Sequence, residues 1–177
     1  ATEVGTEVFV MHGNRDFMIG QQLAERWHFK LLGDFETIEL NGTKAMLMHG
    51  DTLCIDDVEY QKFRTMVRDP AWQQQVMQLS IEERFKLAMQ IRENSKQNAS
   101  NRAEDIVDVN AGEVERTFAE NDISLIIHGH THRPAIHELE VSGTQRKRIV
   151  LGDWHDSAQY LHVNKDTSVF ELSTISL

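Results

Sequence analysis

The sequence predicts an α/β fold interrupted by a helical insertion, and three observations predict it. Apolar runs of strand length end in polar loops that carry His12, His49 and His128. Helical periodicity fills the stretch from about residue 56 to 108, and strand-like segments return over the last third.

Taken in order, Glu7-Val8-Phe9-Val10-Met11 reads as a buried strand running into His12-Gly13-Asn14-Arg15-Asp16, and a short helix follows around Gln21 to Trp27. Phe35 to Leu40 alternates with period two, Asn41-Gly42 supplies a turn, and Thr43 to Met48 answers as a second strand. Asn-Gly between alternating segments is a strong hairpin signal. This hairpin ends at His49-Gly50-Asp51. Further on, Ile81, Phe85, Ala88 and Met89 fall at i, i+4, i+7 and i+8, the spacing of one apolar helix face, while Pro70 separates this helix and its predecessor from an earlier one. Residues 56–108 are therefore expected to form a helical cap inserted into a core of 1–55 and 109–177. Beyond the cap, Ala111, Val114, Phe118 and Ala119 make a helical stripe. Ser124-Leu125-Ile126-Ile127 is a continuous apolar strand of parallel-sheet type that ends in His128-Gly129-His130-Thr131-His132-Arg133-Pro134. Strands are expected over Ala135 to Val141, Lys147 to Leu151, Gln159 to Val163 and Ser168 to Leu172.

Composition limits the function. Of 177 residues 40% are apolar, enough for one domain with a subdomain, and the net charge of −10 argues against a nucleic-acid partner, which needs clustered bases. The charge is uneven: residues 60–102 hold eight bases (Lys62, Arg64, Arg68, Arg84, Lys86, Arg92, Lys96, Arg102) against four acids, so this segment is about +4 and the remainder about −14. Solvated helix faces explain that imbalance; so does an anionic ligand or an anionic membrane surface. The single Cys54 forms no intrachain disulfide and suits a reducing, cytoplasmic compartment, and no segment has the length and apolarity of a spanning helix.

The chemistry gathers at the histidines. In an extended segment residues i and i+2 point the same way, so His130 and His132 are expected to project to one side, with His49 and Asn14 converging from their own strand ends. With no thiolate set, the donors are imidazole nitrogens and amide or carboxylate oxygens, a mixture that suits Mn²⁺, Fe²⁺ or Zn²⁺. A two-metal centre polarises a phosphoryl oxygen and activates water, and Arg15 beside Asn14 is placed to neutralise phosphoryl charge. Phosphoester or phosphoanhydride hydrolysis follows.

His12-Gly13-Asn14-Arg15-Asp16, His49-Gly50-Asp51 and Gly129-His130-Thr131-His132 resemble, in order, the later motifs of the calcineurin-like metallophosphoesterases. The longer runs His12 to Phe17, His49 to Cys54 with Asp56-Asp57, Asn94-Ser95-Lys96, Asp108-Val109-Asn110 and His128 to Pro134 resemble the branch of that family that acts on UDP-2,3-diacylglucosamine. The resemblance implies an αββα sandwich and Mn²⁺-dependent hydrolysis of the substrate pyrophosphate to UMP and 2,3-diacylglucosamine 1-phosphate (lipid X) in lipid A biosynthesis. It implies peripheral contact with the cytoplasmic face of the inner membrane and identifies no obligate protein partner. By the same resemblance Asn14, His49 and His130 bind one metal and His132 the other. Asn14, Arg15 and His130 are catalytic and meet the substrate, and Asp57, Tyr60, Ser95 and Arg102 contribute to the substrate pocket from the cap.

The pattern departs from the family in three ways. Arg102 stands where the family usually has lysine, and Ala99 where it has asparagine, with Asn98 adjacent. The family's opening Asp-x-His and Gly-Asp-x-x-Asp motifs, which supply the remaining ligands, have no counterpart in place, so the chain is expected to lack the N-terminal third and to be weakly active or inactive alone. Asp153-Trp154-His155 has the first spelling but lies in the C-terminal β region. Alternatives from other classes are a metal-deficient binding or scaffold protein on the same fold, and a generic nucleotide phosphoesterase, which Arg15 and the large cap disfavour. Met66, Met77 and Met89 with Phe63, Trp72 and Phe85 suit either an acyl-chain groove or the packing of the cap on itself.

Overall fold

The computed structural model describes residues 5–100, 108–164 and 169–177, with side chains for all of these except 96–100. Its centre is a five-stranded mixed sheet of order β3-β4-β5-β7-β6, built from β3 (Phe35–Leu40), β4 (Thr43–Met48), β5 (Leu125–His128), β6 (Ala135–Val141) and β7 (Thr144–Val150). The β3–β4 hairpin closes at Asn41-Gly42, both with positive φ (50° and 78°), the conformation that an Asn-Gly two-residue turn adopts most readily. Ser142-Gly143 closes β6–β7 in the same way, at φ 52° and 76°. β4, β5 and β7 run parallel, Ala45 opposite Leu125 and Leu125 opposite Lys147, so the C-terminal ends of β4 and β5 open at one edge of the sheet.

One face of the sheet packs Met46, Met48, Ile126 and Val141 against Val114 and Phe118 of α5 (Ala111–Asn121) and against Leu53. The other packs Ala45, Leu125, Ile127 and Ile149 under Leu161, Phe170 and Leu172 of the β8 (Ser157–Val163) and β9 (Phe170–Ser176) hairpin. The layers are thus helix, sheet and hairpin. The α5 stripe is narrower than its spacing predicts. Val114, Thr117 and Phe118 are buried, while Ala111 and Ala119 face solvent, because only about a third of the helix circumference meets the sheet.

The N-terminal strand differs from expectation. β1 is only Phe9–Val10, pairs in parallel with β2 (Lys30–Leu31), and leaves Phe9 half exposed. Among the described residues it has a partner on one side only, so its apolar run is not enclosed. α1 (Gln21–Trp27) follows as the sequence predicts.

The segment 56–108 supplies α2 (Val58–Arg68), α3 (Pro70–Gln78) and α4 (Ile81–Ser100). Asp57 caps α2 by accepting from the Tyr60 N–H, and Asp69 caps α3 with Pro70 in its first turn. α2 is bonded into the core: Arg68 donates to the His12 and Gly13 carbonyls, and Gln73 of α3 reaches the Phe17 carbonyl. Phe63 and Trp72 pack on Phe17, whereas Met66, Met77, Phe85 and Met89 are exposed, so the aromatic and methionine residues of this segment divide into two groups. The periodic face of α4 is bare: Ile81 is 81% and Phe85 64% exposed. Periodicity makes the helix; it does not say what covers it. Among the described residues no helix is long and apolar enough to cross a membrane.

Gly50 follows β4 at φ 106°, and a Cβ there would sit 2.5 Å from Nδ1 of the buried His128. Gly50→Ala is therefore expected to lower unfolding free energy by about 1–3 kcal/mol, from strain plus overpacking, as a reduced urea midpoint at unchanged m.

Candidate metal centre

Parallel pairing of β4 with β5 carries the two histidine loops to one place. The Gly129 N–H donates to the His49 carbonyl at 3.0 Å, and the rings of His49 and His130 meet with Nε2 and Nδ1 3.1 Å apart. Two nitrogens bound to one ion at about 2.1 Å each, and about 90° apart, lie about 3 Å from each other, so this pair fits cis positions on a single metal. Burial holds both imidazoles below the usual histidine range, His130 at about 4, with the His49 ring lowering the proton affinity of His130 further. Neutral rings are what a metal requires of its ligands.

Gly13 brings the third loop alongside. A Cβ on it would lie 3.1 Å from Cε1 of His49, tight enough that the ring would have to shift, so glycine lets the 12–16 turn lie close against it, and the half-buried Asn14 follows directly. Asp16 ties the turn by accepting from the Gly13 N–H at 2.5 Å, and His12 Nε2 bonds the Ile19 carbonyl. Arg15 is exposed on the same turn.

Beneath the histidines sits a buried ionic network that the sequence pattern concealed. Asp51, 2% exposed, accepts from the Tyr60 hydroxyl at 2.8 Å and from Arg64 Nε at 2.9 Å. Arg64 also pairs with Asp34 at 2.6 Å, and Arg68 with Asp34 at 3.5 Å. Burial alone would raise the Asp51 carboxyl, but Arg64, the nearby histidines and the Tyr60 bond outweigh it and hold the group below its ordinary value. The Tyr60 hydroxyl is pushed up by burial and by Asp51, and its ring lies 5.1 Å from that of His130. Arg64 and Arg68, counted among the eight bases of that segment, are thus engaged by the buried Asp51 and the half-exposed Asp34. The signal was present, since Tyr60, Arg64 and Arg68 share one helical face at i, i+4 and i+8; the acidic partners lie too far away in sequence to be paired with it.

The His128 to His132 loop is not the extended segment that alternation suggests. His130 and His132 both adopt left-handed φ, 64° and 54°, so their side chains do not follow the strand rule. His132 is exposed, with Nδ1 3.4 Å from Asp153, whose carboxylate also meets His155 at 2.9 Å. His132 remains close enough to the His49 and His130 rings to lower both electrostatically. His128 is structural. Arg148 donates to its Nε2 at 3.0 Å, which leaves the proton on Nδ1 to bond the Gly129 carbonyl at 2.8 Å.

Among the other residues singled out, Asp57 is buried as the α2 cap, Ser95 is exposed on α4, and Arg102 lies outside the described residues, as do the side chains of Asn98 and Ala99. Among the described residues no group of three His, Cys, Asp or Glu side chains is arranged to hold an ion. The His49–His130 pair and the turn that carries Asn14 nevertheless present nitrogen and amide-oxygen donors of the kind a divalent metal takes.

Acid should weaken this region. His128 and His130 titrate near 4 when folded against 6.5 for free imidazole, so the unfolded chain binds more protons between these values. Stability from neutral burial is complete above about pH 6.5 and is lost as pH falls toward 4. Urea unfolding at pH 7.5 and pH 5 should show the drop, and His128→Gln should flatten it. Cys54 behaves oppositely: it is buried and its thiol is pushed up to about 12, so it should resist thiol reagents at pH 8 until urea unfolds the chain.

The calcineurin-like phosphoesterase profile matches residues 2–134. The UDP-2,3-diacylglucosamine hydrolase of Marinobacter nauticus is 45% identical over 94% of this chain and 68% of its own length. The proteins of the same name from Chromohalobacter salexigens (46%, covering 86% and 62%) and Vibrio parahaemolyticus (43%, covering 93% and 68%) are comparably similar. The chain spans about two thirds of the length of these curated relatives.

Proposed function

We propose, from the premise that this chain belongs to the calcineurin-like phosphoesterases, that it hydrolyses the pyrophosphate of UDP-2,3-diacylglucosamine to UMP and 2,3-diacylglucosamine 1-phosphate, a step of lipid A biosynthesis. The observation that carries the reading is the His49–His130 pair, set by β4 and β5 at cis-ligand distance beside the Gly13-Asn14-Arg15 turn. The names of the similar proteins support the substrate.

His49, His130 and Asn14 hold one ion of a divalent centre, with His132 available to a second. Bound metal supplies Lewis-acid polarisation of the phosphoryl oxygen and a water nucleophile at neutral pH. Mn²⁺ suits nitrogen donors mixed with an amide oxygen. The Asn14 amide and the Arg15 guanidinium bind the pyrophosphate oxygens, Arg15 offering a fork of donors from its exposed position. Asp57 and Tyr60 act from α2, Tyr60 by flanking His130, and Ser95 and Arg102 complete the pocket from the cap.

Residues 56–108 form that cap over the site, carried by the core of 1–55 and 109–177. The exposed Ile81, Phe85 and Met89 of α4, with Arg84, Lys86 and Arg92 on the same helix, suit the acyl chains and the anionic surface of a membrane, which supports peripheral attachment at the cytoplasmic face. Hydrolysis in ¹⁸O-water followed by mass spectrometry tests the reading. UMP and the sugar-lipid phosphate should appear, one of them labelled; UDP with dephosphorylated lipid would contradict it.

A further inference from the structure

On the far side of the His130 loop lies a cleft of about 270 Å³, on the sheet face that carries Arg148, with Thr131 and Arg133 on its wall. Arg148 of β7 is half-buried, and among the described residues its guanidinium has one hydrogen bond, to His128, and no carboxylate within ion-pair distance. The Thr131 hydroxyl is buried and, among the described residues, has no hydrogen-bond partner. A half-covered cation whose acidic neighbour, Asp108, is bonded to Arg133 and the Val109 N–H instead, and a hydroxyl with no described partner, are both costly to a protein unless a ligand supplies oxygen acceptors.

The remaining lining says what kind of acceptor fits. Asp108 is engaged, accepting from Arg133 at 2.6 Å and from the Val109 N–H, so it tempers the positive charge that a bare phosphate would require. His137, opposite Arg148 in the β6–β7 register, is driven toward its neutral form by burial and by Arg148. Pro134 and Val150 add apolar wall, which suits the face of a planar ring. The cleft includes Thr131, the residue that follows His130 in the chain.

We propose that this cleft takes the uracil ring of the substrate's uridine, with its carbonyl oxygens accepting from Arg148 and Thr131. The proposal rests on the pyrophosphohydrolase reading and adds the residues that select the base. Uracil offers two carbonyls flanking an N–H, which match donors on the wall and the Asp108 carboxylate at the mouth. Cytosine replaces one carbonyl by an amino group and would set a donor against a donor, the kind of mismatch that a hydrogen-bonding site rejects strongly.

Calorimetric titration of the full chain with UMP, uridine, CMP and inorganic phosphate, without added metal, tests this apart from catalysis. UMP should bind, uridine should compete for its site, CMP should bind more weakly, and phosphate should not displace UMP. Thr131→Val, which keeps shape and removes only the hydroxyl, should weaken UMP about tenfold, the scale of one lost hydrogen bond. Arg148→Met should do at least as much; because it also strips His128 of a donor, the Thr131 variant carries the test if that protein unfolds. UMP binding unchanged in Thr131→Val, or displaced by phosphate but not by uridine, would overturn the base site. That result would leave the hydrolase reading standing, whereas no UMP release by the enzyme alongside Thr131-dependent uridine binding would overturn the reaction and keep the site.

Discussion

Replacing Arg64 with methionine is expected to lower the unfolding free energy by about 3–5 kcal/mol, the penalty for leaving a buried charge without its partner. Asp51 is 2% exposed, and Arg64, itself 16% exposed, is its nearest cation at 2.9 Å. Among the described residues, removing the guanidinium leaves the carboxylate the Tyr60 hydroxyl and the nearby histidines, and leaves Asp34 only its longer contact with Arg68. The loss should appear in urea denaturation at pH 7. Asp51→Asn in the same background should recover part of it, because the second change removes the unpaired charge. A single-variant loss below about 1 kcal/mol would place the Asp51 charge in contact with water, against the observed burial. Since Asp51 lies two residues from His49 and Tyr60 flanks His130, this variant should also loosen metal binding by about 10–100-fold, the usual cost of disturbing the support of a ligand.

His130→Ala should have a larger effect on metal. Two close imidazoles are expected to give the 177-residue chain a weak divalent site, and removing one would leave a single nitrogen donor of the pair. Mn²⁺ binding, followed by electron paramagnetic resonance of the free ion, should be detectable for the unaltered chain at high micromolar to millimolar metal and absent for the variant. His155→Ala, at an exposed ring that meets Asp153, should leave this site unchanged. A two-metal centre takes more ligands than these loops provide, so joining in cis a segment that bears Asp-x-His and Gly-Asp-x-x-Asp should tighten Mn²⁺ binding and raise UMP release from a low level. Equal binding by the unaltered chain and His130→Ala would place the ion elsewhere.

Much of the sheet was legible because local chemistry and tertiary placement agree. Asn41-Gly42 between alternating strands dictates a turn with both φ values positive, and the hairpin spans Phe35 to Met48 as its pattern predicts. The unbroken apolar run before His128 marks a strand buried on both faces, which β5 is, and parallel neighbours then bring the strand-end loops together. Convergence of His49 and His130 was therefore readable from two loops and one topological rule.

What escaped depended on partners remote in sequence. Arg64 and Arg68 look like cap charge until Asp51 and Asp34 are seen beneath them. His132 was expected to point with His130 by strand alternation, but left-handed φ at both residues breaks that rule, and nothing local to Gly-His-Thr-His announces it. The apolar stripe of α4 predicted the helix and left open what covers its face, which is exposed among the described residues, since spacing encodes a face and not its covering. β1 fell short of the five-residue run for a related reason: strand propensity continues only where a neighbour accepts the backbone, and the described pairing ends at Phe9–Val10.

The most direct measurement is release of UMP from UDP-2,3-diacylglucosamine by the polypeptide expressed from the whole reading frame that contains this chain, assayed with Mn²⁺, with excess chelator, and as His130→Ala. Release should require the divalent ion, stop with chelator and fall below detection in the variant. Release that persists in chelator, or that His130→Ala sustains at the unaltered rate, would contradict a metal centre built on the histidine pair of β4 and β5.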